Sequence, residues 1–300
     1  MGAPQIKKDR SGLSCWEELV FEHPVSLLGL EETLTGGQSF SWTSISPSSW
    51  QGTINKSLVE LQWKEGRIEW RTGIKNPMNH EDLEEYLWLG GSYVKAVDSL
   101  PWRSDPVLKR CIDALPGLGI LRQPIDETLF VFLLSSVKSI PQIKEMKDLV
   151  AQKYGEEIGP RLWSFPGWER LNEVSEEELR SFKLGYRAGY VSKTARFLAS
   201  HPGWLEEVSR QPYVKAKECL LTLPGVGPKI ADCTLLFGAA KSEAFPIDTW
   251  IAKALDLRYG LVGWSNQQKV HFAFKHYGKH AGLAQQFLFS GERLGIHEKS

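Results

Sequence analysis

The sequence predicts an α+β protein, an antiparallel sheet at the N-terminal end followed by an all-helical region. Three observations carry that reading. Val59, Leu61 and Trp63 alternate with polar residues, Glu65-Gly66 supplies a turn, and Ile68 and Trp70 resume the alternation; this is a hairpin with one buried face. After Trp102 the apolar spacing becomes helical. The chain has 300 residues, long for one core, so two units are expected, 13–103 and 104–300.

In the first unit, Gln38 to Trp42 and Trp50 to Ile54 are expected to extend the sheet, separated by the Ser/Pro loop Ser46 to Ser49. One or two helices accompany it, and His80 to Leu89 reads as a helix lying on the sheet. In the second unit Ser104-Asp105-Pro106 starts a helix with Val107, Leu108, Cys111 and Leu115 on one face. Leu129 to Leu134 is apolar all round, as a central buried helix is. Ile143, Met146, Leu149 and Val150 form an amphipathic stripe. Ser175 and Glu178 make a capping box whose helix ends at Gly185. Ile230, Cys233, Thr234 and Phe237 follow at i, i+3, i+4 and i+7. No repeat or low-complexity linker divides the chain, so the two units are expected to pack closely.

The composition is 42% hydrophobic with 12 tryptophans, which suits a packed chain and argues against disorder. No apolar run approaches the ~20 residues of a membrane span. Met1 to Arg10 is polar and lacks the apolar core of a secretion signal, so an intracellular protein is expected, nuclear or in a bacterial or archaeal cytoplasm. Cys15, Cys111, Cys219 and Cys233 are too scattered for zinc or an iron–sulfur cluster and read as reduced thiols. His271, His276 and His280 have no acidic or thiol partner nearby in sequence and read as solvated helix residues. No metal or cofactor is expected.

The formal net charge is zero, which counts against a simple nucleic-acid binder. The charge is uneven, however. From Ser181 to Ile230 eight basic residues stand against three acids, a local excess of five. That excess surrounds Leu223-Pro224-Gly225-Val226-Gly227, a tight turn between two predicted helices. Gly225 and Gly227 let the backbone approach a flat charged surface. The exposed amides of the next helix's N-terminus can then hold a phosphate oxygen. An ordinary interhelical turn is the plain alternative, and Leu115-Pro116-Gly117-Leu118-Gly119 is a second copy of the pattern. What distinguishes the later copy is its basic neighbourhood, Lys229 and Asp248.

Lys229 falls in the first turn of a predicted helix, where the positive end of the helix dipole disfavours an ammonium. A lysine held as the neutral amine is a nucleophile able to form a Schiff base; a solvated surface lysine is the plain alternative. Asp248, before Thr249 and Trp250, is a preferred N-cap. Cap and catalyst are compatible, because a capping carboxylate is held rigidly.

At this point the chain resembles the eukaryotic-type 8-oxoguanine DNA glycosylase/AP lyases of the helix-hairpin-helix superfamily. The resemblance runs from about Leu19 to Leu294. It rests on Gly37-Gln38-Ser39-Phe40-Ser41-Trp42, Leu121-Arg122-Gln123, Leu184-Gly185-Tyr186-Arg187-Ala188, the hairpin, and Gly282-Leu283-Ala284-Gln285 to Phe289-Ser290. It implies an N-terminal sheet resembling half of a TATA-binding protein, a helical region with the active site in a cleft, and a monomer acting on double-stranded DNA containing an oxidised purine. By position Lys229 is similar to the family's catalytic lysine and Asp248 to its catalytic aspartate. Gly37 matches the residue whose carbonyl reads the N7–H of 8-oxoguanine. Cys233 and Phe289 match the pair that sandwiches the flipped base, and Gln285 the reader of its Watson–Crick edge. Tyr186 matches a wedge in the vacated stack and Arg187 a contact to the orphaned cytosine.

The sequence also departs from the family. The asparagine and arginine that read the cytosine opposite the lesion are replaced by Val137 and Gln142. Each good polar base contact is worth roughly 1–3 kcal/mol of discrimination, so a weaker cytosine preference is expected. A histidine expected two residues after the aspartate is Trp250, which alters a DNA contact there. Two alternatives stand beside this reading: a glycosylase of the same superfamily for another damaged purine, and a non-catalytic helix-hairpin-helix DNA-binding module. The first is disfavoured by Lys229. The second gives no reason for Lys229, Asp248 and Gln285 together.

Overall fold

The computed structural model describes residues 12–298 apart from residues 22 and 89. The polar stretch Met1 to Arg10 and the last residue of the helix predicted to reach Leu89 lie outside the described residues. Among them, five strands form one antiparallel sheet in the order β1-β5-β4-β3-β2. These are β1 (Glu17–Leu19), β2 (Trp42–Ser46), β3 (Ser49–Ile54), β4 (Ser57–Lys64) and β5 (Arg67–Thr72).

The predicted hairpin is β4–β5. Lys64 pairs with Arg67, and the intervening Glu65 and Gly66 both have positive φ, 53° and 84°, as a two-residue turn matched to strand twist requires. Val59, Leu61, Ile68 and Trp70 point into the sheet's core with Trp42 and Trp50. Glu60, on the opposite face, is also buried because Arg71 pairs with it at 2.6 Å.

Gln38 to Trp42 is not a strand; β2 starts only at Trp42. The backbone bends at Gly37, whose φ is +106°. Apart from the Ser41 carbonyl, which accepts from the Thr53 amide at 3.3 Å, the residues after it then bond to loops and helices. Gln38 donates through Nε2 to the Gly119 carbonyl at 2.9 Å and accepts through Oε1 from the Leu121 amide at 2.8 Å. Gln123 Nε2 donates to the Gln38 carbonyl at 2.6 Å.

Three helices, rather than one or two, accompany the sheet between residues 13 and 103: α1 (Leu27–Thr35), α2 (His80–Leu87) and α3 (Gly91–Ser99). Tyr93, Ala96 and Leu100, in and after α3, pack into the helical core rather than the sheet's.

The helical region begins with α4 (Pro106–Ala114), capped by Asp105, whose carboxylate accepts from the Leu108 amide at 2.9 Å. The central helix is α5 (Ile125–Leu134), buried on every side from Thr128 on. Then come α6 (Ile140–Tyr154), α7 (Trp168–Asn172) and α8 (Glu176–Leu179), the last capped by Ser175. A π-turn, Arg180–Leu184, ends at Gly185, and α9 (Arg187–Ser200) follows. The chain continues through α10 (Trp204–Arg210), α11 (Tyr213–Leu220), α12 (Pro228–Gly238), α13 (Thr249–Tyr259), α14 (Asn266–Tyr277) and α15 (Ala281–Arg293).

Two histidines depart from expectation: His280 has a buried Nδ1 without a hydrogen-bond partner and faces the Trp88 ring at 6.4 Å. His276 is half-buried, with Nε2 2.9 Å from Asp105 Oδ2, and Tyr259 donates to the same oxygen at 2.8 Å. The α4 cap is thus tied to α13 and α14, which sequence distance hides. Among the described residues no group of three or more His, Cys, Asp or Glu could hold a metal ion. No helix of the described residues is long and apolar enough to cross a membrane.

Candidate active site

The two Leu-Pro-Gly turns have opposite surroundings. At the first, the Pro116 carbonyl accepts from the Ser26 amide at 2.9 Å, and the Gly119 amide donates to Thr33 Oγ1 at 3.0 Å. A Cβ at Gly117 would lie 2.8 Å from Val25. That turn is spent on seating α1, with little left for a ligand. The second turn lies at the surface between α11 and α12. Gly225 is exposed with φ +81°, and a Cβ there would strike the Tyr190 ring at 2.4 Å. Gly227 faces open space, and no side chain caps the amides of α12. A small, uncapped helix start is a ready phosphate site.

A buried carboxylate holds the two arms of this hairpin together. Asp232 on α12 accepts from Tyr213 Oη and Lys217 Nζ on α11, each at 2.7 Å. Lys217 is therefore committed inside the protein, which reduces the basic excess that its sequence neighbourhood suggested.

Lys229 is the second residue of α12 and leans over the Phe132 ring of α5, with Nζ 5.0 Å from the ring centroid. Its Nζ donates to Ser135 Oγ at 3.1 Å, and the Ser135 hydroxyl donates to the Phe132 carbonyl at 2.7 Å. The amine is thus aimed by a hydroxyl at the C-terminal end of α5. Asp248 caps α13 by accepting from the Ile251 amide at 2.8 Å. Burial raises its carboxyl above the ordinary range; the Ile251 amide and the Lys229 charge oppose that rise. Among the described residues no direct ion pair joins Lys229 and Asp248, yet each lies within the other's field. Cys233, one turn after Lys229, is buried, and desolvation pushes its thiol up to about 12. It is therefore an uncharged, packing thiol, as a flat apolar wall requires.

The second half of the site lies on α15 and the Gly37 bend. Gln285 is only 4% exposed, yet its buried Oε1 has no hydrogen-bond partner. An orphaned buried acceptor costs about 1–3 kcal/mol, and Gln286 Nε2 and Ser290 Oγ on the same helix are likewise buried without a partner. Phe289, one turn further along α15, brings its Cζ within 3.9 Å of where a Gly37 Cβ would stand. Ile140 Cδ1, at the start of α6, lies 2.8 Å from the same point. Phe40 then meets Phe132 edge-on at 5.9 Å, joining the Gly37 segment to the ring beneath Lys229.

Tyr186 and Arg187 lie at the start of α9, across the Ser135–Val137 turn from the lysine. Tyr186 is 52% exposed and meets Tyr190 edge-on at 5.9 Å, so the wedge candidate and Gly225 rest on the same ring. Arg187 is 4% exposed; its guanidinium lies 4.4 Å from the Tyr186 ring centroid and donates to the Ser136 and Leu184 carbonyls. Two of its donors are therefore spent within the protein, while its buried Nε has no partner. Val137 is 92% exposed with φ +54°, a rare conformation for a β-branched residue. Gln142 is exposed, and its Oε1 accepts from the Ser139 amide at 3.1 Å in a capping box. Trp250 is 38% exposed on the first turn of α13. Ser135 and Ile140 went unnoticed in the sequence, because only the fold sets a helix end beside an amine 94 residues away.

Comparisons with known proteins agree with this arrangement. Residues 20–129 match the family described as 8-oxoguanine DNA glycosylase, N-terminal domain. Over 314 aligned residues the chain is 33% identical to the N-glycosylase/DNA lyase OGG1 of Arabidopsis thaliana, covering 95% of this chain and 82% of that protein. It is 28% identical to the N-glycosylase/DNA lyase of Saccharomyces cerevisiae, covering 89% and 84%. A crystal structure of the Clostridium acetobutylicum 8-oxoguanine glycosylase/lyase, bound to double-stranded DNA with cytosine opposite 8-oxoguanine, superposes with a TM-score of 0.81. That match has 27% identity and covers 95% of this chain and 99% of the other. Sheet, helices and hairpin together are those of the helix-hairpin-helix DNA glycosylases. Within that class the chain belongs to the 8-oxoguanine N-glycosylase/DNA lyase family.

Proposed function

We propose that the chain excises 8-oxoguanine from double-stranded DNA and cleaves the resulting abasic strand, with Lys229 as nucleophile and Asp248 as its electrostatic partner. The observation that carries this is an amine positioned by Ser135 whose charge acts on Asp248, together with a Gln285 acceptor that is buried and without a partner. A base stacked in a duplex is out of reach, so the nucleotide is flipped out, and Tyr186 fills the gap. The base enters between Cys233 and Phe289, where the Gly37 carbonyl accepts its N7–H and Gln285 meets its Watson–Crick edge. Hairpin amides at Gly225 and Gly227 hold backbone phosphate, and Trp250 contacts DNA beside them.

The Lys229 amine attacks C1′; the C1′–N9 bond breaks, and the base leaves with the electron pair and takes up a proton. Asp248 stabilises the positive charge that grows on the sugar. Opening of the sugar leaves an imine on Nζ. Loss of a C2′ proton then expels the 3′ phosphate by β-elimination. Such a protein works wherever DNA is kept, inside the cell.

The test is base release from duplexes carrying 8-oxoguanine, an alkylated purine or uracil. Release of 8-oxoguanine alone is the expected result, and preferential release of the alkylated purine overturns the assignment. A second series varies the base opposite the lesion. The Val137 side chain offers no polar atom, and Gln142 is engaged as a helix cap, so excision rates opposite cytosine, adenine, guanine and thymine are expected to agree within about tenfold. A strong preference for cytosine would mean that other groups read that base.

A further inference from the structure

Two lysines of α6, Lys147 buried and Lys144 half-buried, sit where no catalytic step uses them. Lys147 has 6% of its side chain exposed; it donates to Ser41 Oγ at 3.2 Å and lies 3.3 Å from Asp148 and 3.9 Å from Glu127. Ser41 in turn donates to Glu127 Oε1 on α5 at 2.5 Å. Lys144 donates to the Trp42 carbonyl at 2.8 Å and approaches the Phe40 carbonyl at 3.4 Å. Its own burial, aided by Lys147, pulls its ammonium down to about 8. Two such charges are a poor device for stability, since apolar residues of similar volume fill such positions at least as well.

Their placement supplies a reason. Ile140, Lys144 and Lys147 fall at i, i+4 and i+7, on one face of α6. That face runs along the segment from Gly37 to Trp42. Ile140 packs on Gly37, Lys144 holds the carbonyls of residues 40 and 42, and Lys147 holds the side chain of Ser41. Gln38 is clamped from the other side by Gly119, Leu121 and Gln123. Before Trp42 the segment meets the sheet where the Thr53 amide of β3 donates to the Ser41 carbonyl at 3.3 Å; the bonds above place the rest of its backbone.

We propose that Lys144, with Lys147 behind it, is a positioning residue for lesion recognition, setting where the Gly37 carbonyl meets the base and leaving the sugar chemistry at Lys229 untouched. This rests on the functional reading above, and the experiment separates the two. A preformed abasic site has no base to read, so its cleavage reports Lys229 alone, whereas 8-oxoguanine release needs both halves of the site.

In Lys144→Met the side chain keeps its length and loses its donor. The ratio of 8-oxoguanine release to abasic-site cleavage is expected to fall at least about tenfold, since small misplacements of a reading group carry penalties of this order. Its melting temperature is expected to stay level or rise. Lys144→Arg retains a donor and should restore much of the ratio. If the methionine variant fails to fold, Lys144→Gln serves in its place, with a partial loss expected. An unchanged ratio in a folded variant, or an equal fall in both activities, overturns the proposal. Failure of the unmodified protein to release 8-oxoguanine would instead overturn the functional reading.

Discussion

Lys229→Gln is expected to abolish the covalent complex that borohydride traps between the protein and DNA containing 8-oxoguanine. Strand cleavage should fall on the order of a thousandfold or more, the scale seen when a nucleophile is removed. Glutamine can still lie over Phe132 and hydrogen-bond to Ser135, so neither the fold nor duplex binding should change. The amide cannot form an imine, and among the described residues no other lysine side chain hydrogen-bonds to Ser135. Gel-shift affinity measured alongside the trapping assay distinguishes lost chemistry from lost binding. Trapping that survives the substitution would place the nucleophile elsewhere.

Gly37→Ala is expected to separate the two activities. At φ +106° the glycine occupies a region that side chains rarely adopt. The new methyl would meet Ile140 Cδ1 at 2.8 Å and stand 3.9 Å from Phe289 Cζ, at the edge of the proposed base pocket. Either the backbone shifts its carbonyl or the methyl takes space that the base needs. A displacement of about an ångström at a reading group costs on the order of a hundredfold. Release of 8-oxoguanine should therefore fall about a hundredfold, while cleavage of a preformed abasic site stays near its original rate. Equal losses in both assays would show that Gly37 acts on the fold at large. Paired with Lys144→Met, the series compares damage at the reading atom with damage at its support.

Patterns confined to a few neighbouring residues were legible in the chain. The β4–β5 hairpin follows from alternation and a Glu65-Gly66 turn, and both depend only on adjacent side chains and local φ. The buried α5 is legible because every residue from Leu129 to Leu134 is apolar. Gln38 to Trp42 misled for a related reason. Its residues suit a strand, but Gly37 turns the backbone and Gln38 finds partners about 80 residues away. Local propensity lost to tertiary hydrogen bonds.

Residue types and order determine which chemistry is at hand: an amine in a helix's first turn, an aspartate that caps, and glycines where backbone must approach a phosphate. Those are properties of single positions. What only the fold decides is partnership. It spends one Leu-Pro-Gly turn on seating α1 and leaves the other open, ties Lys217 to Asp232, and aims Lys229 with Ser135. It also leaves Gln285 buried without a partner and lays one face of α6 along the Gly37 segment. Burial and hydrogen bonding between residues far apart in the chain are set by how the whole chain packs, so local spacing carries no trace of them.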